Sequence, residues 1–485
     1  MPRHPMHMSD AAEAALRTAL HRLRVELRVP AAFPPNVLEA AEAAVRAPRL
    51  PDEDATDLPF FTIDPPTSKD LDQAMHLERR PGGGYRVHYA IADVAAFVTP
   101  GGALDAEAHE RVETVYFPDG KVSLHPPVIS EGAASLLPDR TVPALVWRHD
   151  LDADGEVTRS DVRRALVRSQ AKLDYAGVQQ DLDAGTAEES VALLREIGKL
   201  REAVEIKRGG ISVNLPDQEI SLEDGAFRLS YRAALPVEGW NEQMSLMTGM
   251  AAARIMLDSG TGVLRTQREA EPKVVTRVRA IAQLLAIDWQ PHVSYADLVR
   301  SLDPNNQKHA AFLSEATAML LKAEYTPFRD HHLPDPEHRI HAAIAAPYTH
   351  CTAPLRRLID RYTGELCVAA STGQAPPDWV LTALYGLPCD MARGKGSRAD
   401  RSAVDLAEAA VLMHRVGEVF EASVIDTDKE RGKPREGRLH LTDPAVMAKV
   451  EAKTEDLKLG QTVRATLERA APGHTEDDKV LFSLP

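Results

Sequence analysis

Cysteine is scarce: Cys351, Cys367 and Cys389 are the only three in 485 residues. They are far apart, odd in number and without metal-type spacing, which argues against a disulfide framework and against a cysteine metal site. Reduced thiols, buried as small apolar groups in a cytoplasmic protein, are expected instead. Long hydrophobic runs are also missing. The most apolar windows, MTGMAAARIML and IHAAIAAPY, are short and interrupted, so no membrane span and no membrane partner are expected. The first ten residues, MPRHPMHMSD, lack the apolar core of a secretory signal. Aromatics make up only 5%, so any stacking platform for bases must be small and local. Bases are outnumbered, 57 against 72 acids, for a formal net charge of -15. That excludes binding nucleic acid with the whole surface, but not a basic channel within an acidic shell.

What is present is ordinary globular material, 44% hydrophobic and 27% charged, long enough for two to four domains. Ser9 is placed to cap a helix through DAAEAALRTALHRLRVEL, and a second alanine-rich helix starts near Asn36 and fades at Pro48. Residues 1–50 thus form a helical unit. Its Arg17, Arg22, Arg24 and Arg28 make either a solvated face, the favoured reading, or a nucleic-acid contact of helix-turn-helix type. Residues 51–59 read as an acidic, proline-marked linker. From Phe60 the pattern becomes α/β: FFTI is a short buried strand, and QAMHLERR and YRVHYAIADV alternate around PGGG as a hairpin. Helices follow over TAEESVALLREIGKLREAVEIK, NEQMSLMTGMAAARIML and SAVDLAEAAVLMHRVG. This domain spans 60–416. Over 417–485 the short segments EVFEASVID, EGRLHLT, QTVRATLER and KVLFSL predict a small closed barrel, with DTDKERGKPREG as a loop. With no coiled-coil or exposed apolar repeat, a monomer without an obligatory protein partner is expected.

Asp64, Asp70 and Asp72 crowd one short stretch, TIDPPTSKDLDQAM. Asp64 ends the strand FFTI, and Pro65 and Pro66 turn the chain out of the sheet. In an extended return, Asp70 and Asp72 share one face while Leu71 points into the core. Uncompensated, three carboxylates raise each other's pKa values. A hard divalent cation removes that conflict, and oxygen ligands in such a group suit Mg²⁺ or Mn²⁺ in phosphoryl chemistry. A solvated proline turn explains the same residues without chemistry.

PYTHCTAPLRRLIDRY carries Arg356 and Arg357 directly after TAP. Pro354 at the start of a helix would aim its free N–H groups at an anion, and two guanidinium forks suit phosphate. The plain alternative is a salt bridge from Arg356 to Asp360. A second basic run, ARGKGSRADRS, places Arg393, Lys395, Arg398 and Arg401 in a glycine-loosened loop that suits a polyanion backbone.

IDPPTSKDLDQA followed by YAIADVAAFV resembles the catalytic signature of the ribonuclease II family, the RNB exoribonucleases. YTHCTAPLRRLIDRY resembles that family's second signature, and the tail from Gly417 is similar to the S1 RNA-binding barrel that follows the catalytic domain. The resemblance implies an α/β (α+β) RNB catalytic domain, an all-β S1/OB barrel and a small helical N-terminal domain. It implies a magnesium-dependent, processive 3′→5′ exoribonuclease, with Mn²⁺ as an alternative ion, that releases 5′-mononucleotides from single-stranded RNA. Asp64, Asp70 and Asp72 fall on the family's metal site, with Asp70 and Asp72 catalytic, and Arg356 on the arginine that meets the scissile phosphate. Tyr116 falls where a base is stacked, and Tyr175 near the terminal nucleotide. Glu242 matches an acid on the 3′-end ribose, Asp400 a position of similar role, and Arg357 and Arg398 are further RNA contacts.

Two departures stand out. The cold-shock barrels that usually precede the catalytic domain are replaced by a short helical unit. Gln73 stands where well-known members carry a fourth aspartate; its amide oxygen can still ligate an ion but brings one less charge. Weaker or more Mn²⁺-dependent occupancy of a second metal position is expected, and a catalytically silent RNA-binding protein is the competing reading.

Overall fold

The computed structural model describes all residues except 1–9, 212–216, 224–225, 233, 304–305, 317–318, 320–321, 428–431, 442–443, 445 and 474–478. Ser9, expected as a cap, and part of the charged insert fall outside the described residues. The chain begins with α1 (Asp10–Glu26) and α2 (Pro35–Arg46), then enters a barrel through β1 (Phe60–Ile63), β2 (Gln73–Arg79) and β3 (Tyr85–Ala92). Between β2 and β3, Gly84 turns with φ +77°, and a Cβ there would stand 2.2 Å from the Leu151 carbonyl oxygen. After α3 (Ala103–Arg111) and the small hairpin β4 (Val115–Phe117) and β5 (Gly120–Val122) come the long strands β6 (Thr141–Leu151) and β7 (Val157–Leu173). β7 pairs in parallel with β1 and closes a barrel in the order β1-β2-β3-β6-β7.

β1, β3 and β6 are buried on both faces, whereas β7 turns one face outward. Ala90, Ala92, Ala144, Val146, Ala165 and Val167 supply one core, which also takes Val37 and Ala41 of α2. Val87, Tyr89, Ile91, Leu145 and Trp147 face a second core, filled by helices. Those helices come from α4 (Tyr175–Ala184), α5 (Glu189–Arg208), α6 (Pro236–Ser259) and α10 (Leu358–Thr372), with α5 on β2 and α6 on both α5 and α10. Between them lie the hairpin β8 (Asp217–Glu223) and β9 (Ala226–Arg232), the pair β10 (Gly262–Thr266) and β11 (Glu324–Phe328), and α7 (Pro272–Leu284), α8 (Tyr295–Ser301) and α9 (Gln307–Ala316). After α11 (Asp378–Ala383) and α12 (Leu387–Met391), α13 (Gly396–Leu412) leads to the C-terminal barrel. Its strands β12 (Val419–Thr427), β13 (Glu436–Leu441), β14 (Val446–Ala452), β15 (Thr462–Ala470) and β16 (Val480–Leu484) close in the order β12-β13-β14-β16-β15, adding VMAKVEA to the four expected segments.

α13 joins everything. Its Ala409 and Leu412 pack into the C-terminal barrel, and Glu408 accepts from the Met447 N–H at 2.6 Å and the Gln218 amide at 2.7 Å. On another face, Ala399, Ala403, Leu406 and Ala407 meet Leu16, Leu20 and Leu23 of α1 together with Phe117 and Phe227. α1 therefore lies on α13, while α2 packs on α3 and the first barrel. Each helix is thus tied to a different part of the body. Arg17 sits over the Phe227 ring and Arg24 over the Phe117 ring. Cys351 and Cys367 are buried, but Cys389 on short α12 is exposed, against the expectation of burial. Among the described residues no helix is long and apolar enough to cross a membrane.

Candidate active site

The acid turn follows β1. The Asp64 N–H donates to the Leu173 carbonyl at the end of β7, and Lys172 Nζ donates to the Pro66 and Ser68 carbonyls, both at 2.6 Å, holding the proline-bent segment. On the return, Ser135 Oγ accepts from the Leu71 N–H at 2.9 Å and donates to the Lys69 carbonyl at 2.6 Å. Leu71 is fully buried as expected, and Asp72 is only 6% exposed. Burial pushes Asp72 up to about 7, with Arg356 and the Leu355 N–H opposing. Asp64 also rises to about 7, through burial with Asp70 adding, against Arg356 and Lys172.

The second motif meets the first directly. Asp72 Oδ1 accepts from the Leu355 N–H at 2.7 Å, and Arg356 Nε stands 3.4 Å from Asp72 Oδ2 with its side chain 46% exposed. Helix α10 begins at Leu358 with Arg357 at its N-cap, so Pro354 lies in the preceding turn, not at the first helical position as expected. The N–H groups of that turn point at carboxylates: Leu355 at Asp72 and Ala353 at Asp360, 2.7 Å each. Arg357, read in the sequence as an RNA contact, forms a two-pronged bond to Asp360 at 3.0 and 2.8 Å, while Arg356, whose plain alternative was a salt bridge to Asp360, faces Asp72 instead. The turn approaches α6 where the Thr349 N–H donates to the Gly249 carbonyl; a Cβ on Gly249 would stand 2.2 Å from the Tyr348 ring.

Around this centre the structure brings two of the aromatic candidates. Tyr116 is 42% exposed on β4 between buried Val115 and Phe117, and its phenol is raised by burial and by the charges of Asp70, Asp72 and Asp64. Tyr175, at the start of α4, accepts from Asn241 Nδ2 at 3.1 Å; burial, with Asp64 adding, pushes its hydroxyl up to about 12. Glu242 and Asp400 stand at one remove. Glu242 adjoins Asn241 and is raised by partial burial and by Glu205. Asp400 is raised by partial burial and by Glu113, whose carboxylate accepts from the Gly396 N–H at 2.7 Å. Arg398, Asp400 and Arg401 lie within α13, not in the expected loop, and of the same basic run Arg393 donates to the His109 carbonyl and Lys395 to that of Arg28.

Gln73 is engaged at both ends of its amide. Nε2 donates to the Thr352 carbonyl at 2.6 Å, and Oε1 accepts from the hydroxyl of fully buried Tyr89 at 2.9 Å. One residue was missed by the sequence reading: Lys121 on β5, whose Nζ lies 2.5 Å from Asp70 Oδ1 and 3.0 Å from Glu131 Oε1. Partial burial works against its charge, but the two carboxylates outweigh it and raise the ammonium.

Among the described residues, no three His, Cys, Asp or Glu side chains are grouped closely enough to hold a metal ion as they are placed. The donor chemistry nonetheless fits a hard divalent cation. Asp64 is partly buried and Asp72 buried, and both carboxyls are pushed to about 7, groups that ionise more readily once a cation is bound.

A family model described as RNB domain matches residues 52–371, and one described as RNase II-type exonuclease C-terminal S1 domain matches residues 418–475. Ribonuclease R of Escherichia coli K12 is 26% identical over 401 residues, which cover 76% of this chain and 48% of that protein. The chain thus spans about half the length of that curated relative. Among solved structures, Mycoplasma genitalium RNase R in complex with ribose methylated single-stranded RNA is similar with a TM-score of 0.82 at 18% identity, over 97% of this chain and 78% of that one. Yeast Ssd1, a pseudonuclease, is similar with a TM-score of 0.65 at 15% identity, over 84% of this chain and 51% of that one. At such identities these two structures speak for the fold alone. The family model covers well over half of the chain, and with the acid turn locked to the arginine turn it leads to one conclusion: the chain belongs to the RNB family, with an RNase II-type S1 domain behind its first barrel.

Proposed function

We propose that the chain is a divalent-metal-dependent, processive 3′→5′ exoribonuclease that hydrolyses single-stranded RNA to 5′-mononucleotides. One observation carries the reading most. Asp72 and Leu355–Arg356, 283 residues apart, are joined by a hydrogen bond and an ion contact that set carboxylates beside a half-exposed guanidinium. Asp64, Asp70 and Asp72 would hold Mg²⁺ or Mn²⁺, whose chemistry when bound is to acidify water and to offset phosphoryl charge.

The other steps belong to the protein. Arg356 is free on its solvent side to take a phosphate oxygen and the charge that grows on it. Tyr116, exposed beside the acids, offers a stacking face that tolerates any base. Tyr175, held by Asn241 near Asp64, would keep the last nucleotide in line, and Glu242, on the same helix as Asn241, would select the ribose 2′-hydroxyl.

The neutral amide of Gln73 favours a second reading, a silent RNA-binding protein. The two separate on incubation with 5′-labelled poly(A) and Mg²⁺ or Mn²⁺, with and without EDTA. Shortening that EDTA abolishes is expected; RNA retained but uncut with either metal would leave only the silent reading.

A further inference from the structure

We propose that Arg201 and Arg208 of α5, with Gln243 of α6, form a buried site for a phosphate oxyanion, separate from the acid turn, and that free hydrogen phosphate is its occupant. The site is built where α5 lies hard against α6. A Cβ on Gly198 would stand 2.4 Å from the Trp240 side chain, and Arg201, Glu205 and Arg208 follow Gly198 at intervals of three or four along the same side of α5. Arg201 Nη1 donates to the Gly155 carbonyl in the β6–β7 turn at 2.8 Å, and Arg208 Nε to the Ile344 carbonyl at 2.7 Å. Glu205 links the group: it accepts from the Gln243 amide, and its charge reaches both arginines.

These bonds leave the site short of acceptors. Arg201 Nε and both Nη atoms of Arg208 are buried without a hydrogen-bond partner, and so is Gln243 Oε1. Arg201 is only 3% exposed and Gln243 4%. Among the described residues no carboxylate stands at salt-bridge distance from either guanidinium. The nearby Glu156 pairs with Lys207, and Asp152 accepts from the Asp154 and Glu156 N–H groups of its own turn. Burial, with the charge of Arg208 adding, pulls Arg201 down to about 10 against Glu156, Glu205 and Asp152. Buried cations with unmet donors are costly until an anion joins them, and a guanidinium fork matches the edge of an oxyanion. Hydrogen phosphate offers acceptors to the three nitrogens and, through its own O–H, a donor to Gln243 Oε1. Sulfate has no such proton, and neither has a phosphate monoester well above its second pKa of about 6. Glu205 also raises the carboxyl of Glu242, so the site adjoins the residue proposed to select ribose.

The test is calorimetric titration of inorganic phosphate, sulfate and methyl phosphate into the full chain in EDTA at about pH 8. Wild type should bind one phosphate, with sulfate and methyl phosphate each roughly tenfold weaker. Arg208→Met should weaken phosphate by roughly tenfold or more, whereas Arg356→Ala, which removes the cation beside Asp72, should leave it unchanged. Gln243→Met should bring phosphate down to the affinity of sulfate, and this variant decides the matter if Arg208→Met does not fold. Absence of phosphate binding to wild type would mean that water serves the unmet donors, and would overturn the site. Binding that Arg356→Ala abolishes and Arg208→Met leaves intact would overturn it as well. Methyl phosphate binding tighter than phosphate would refute the free ion as occupant.

Discussion

At the scale of single residues, the carboxylates of the acid turn are distinguished by their partners. Asp72→Asn keeps an oxygen for the Leu355 N–H but loses the charge, so cleavage should fall by roughly 10²–10³-fold while RNA retention in a filter assay stays within about twofold. Parallel loss of retention would show that Asp72 positions RNA. Gln73→Asp replaces a donor by an acceptor opposite the Thr352 carbonyl, and chemical denaturation should show a loss of about 1–3 kcal/mol. A variant as stable as wild type would mean that the bridge to Thr352 adds nothing. The acids were legible because prolines and short spacing announce a bent turn. Lys121 was not: it lies far along the chain and reaches Asp70 only because a two-residue turn folds β5 back beside Tyr116. The occupation of Arg357 was hidden for a related reason, since helix register decides which of two adjacent arginines faces Asp360.

At the scale of elements, α13 carries a titratable joint. Glu408 is 3% exposed, and burial pushes it up to about 7 from an ordinary 4.5, with Asp405 adding and the Met447 N–H, Gln218 and Arg438 opposing. A raised carboxyl favours the folded state while protonated, so its contribution is intact below pH 4.5 and is lost as pH rises through 7. Wild type should lose about 3 kcal/mol relative to Glu408→Gln between pH 4.5 and 8, measured by urea unfolding at both pH values. Equal loss in the two proteins would move the pH dependence elsewhere. Leu20→Ala, at the α1–α13 seam, should cost about 2–5 kcal/mol, read from the same unfolding curves. Helices with one apolar stripe and the β2–β3 hairpin were readable from periodicity. β6 was not, because a strand buried on both faces has no alternation, and β7 was not, because its arginines mask its apolar positions. β14 escaped although Asp443 and Pro444 signal a turn in the sequence just before it.

At the scale of the molecule, the balance is acidic and several basic residues of the candidate site are already held by protein partners. Arg357, Arg393, Lys395 and Lys121 all have protein acceptors. With the Asp72→Asn protein and fluorescent poly(A), the plot of log affinity against log salt should have a shallow slope, about -2 to -4, as for three to five phosphate contacts. A slope near -8 would reveal a basic channel larger than these residues make. The tail barrel was foreseeable from its short, evenly spaced strands, but closure of the first barrel through β6 and β7 was not; nor was the packing of α1 on α13, because it pairs the two ends of the sequence through ordinary leucine and alanine faces. The bond between Asp72 and Leu355 also has a meaning in time. Its 283-residue separation makes it a contact with a high entropic cost of closure, formed only when both halves of the chain are made and folded. On the proposed reading, the site that would cut RNA is therefore not assembled until the second half of the chain has been made.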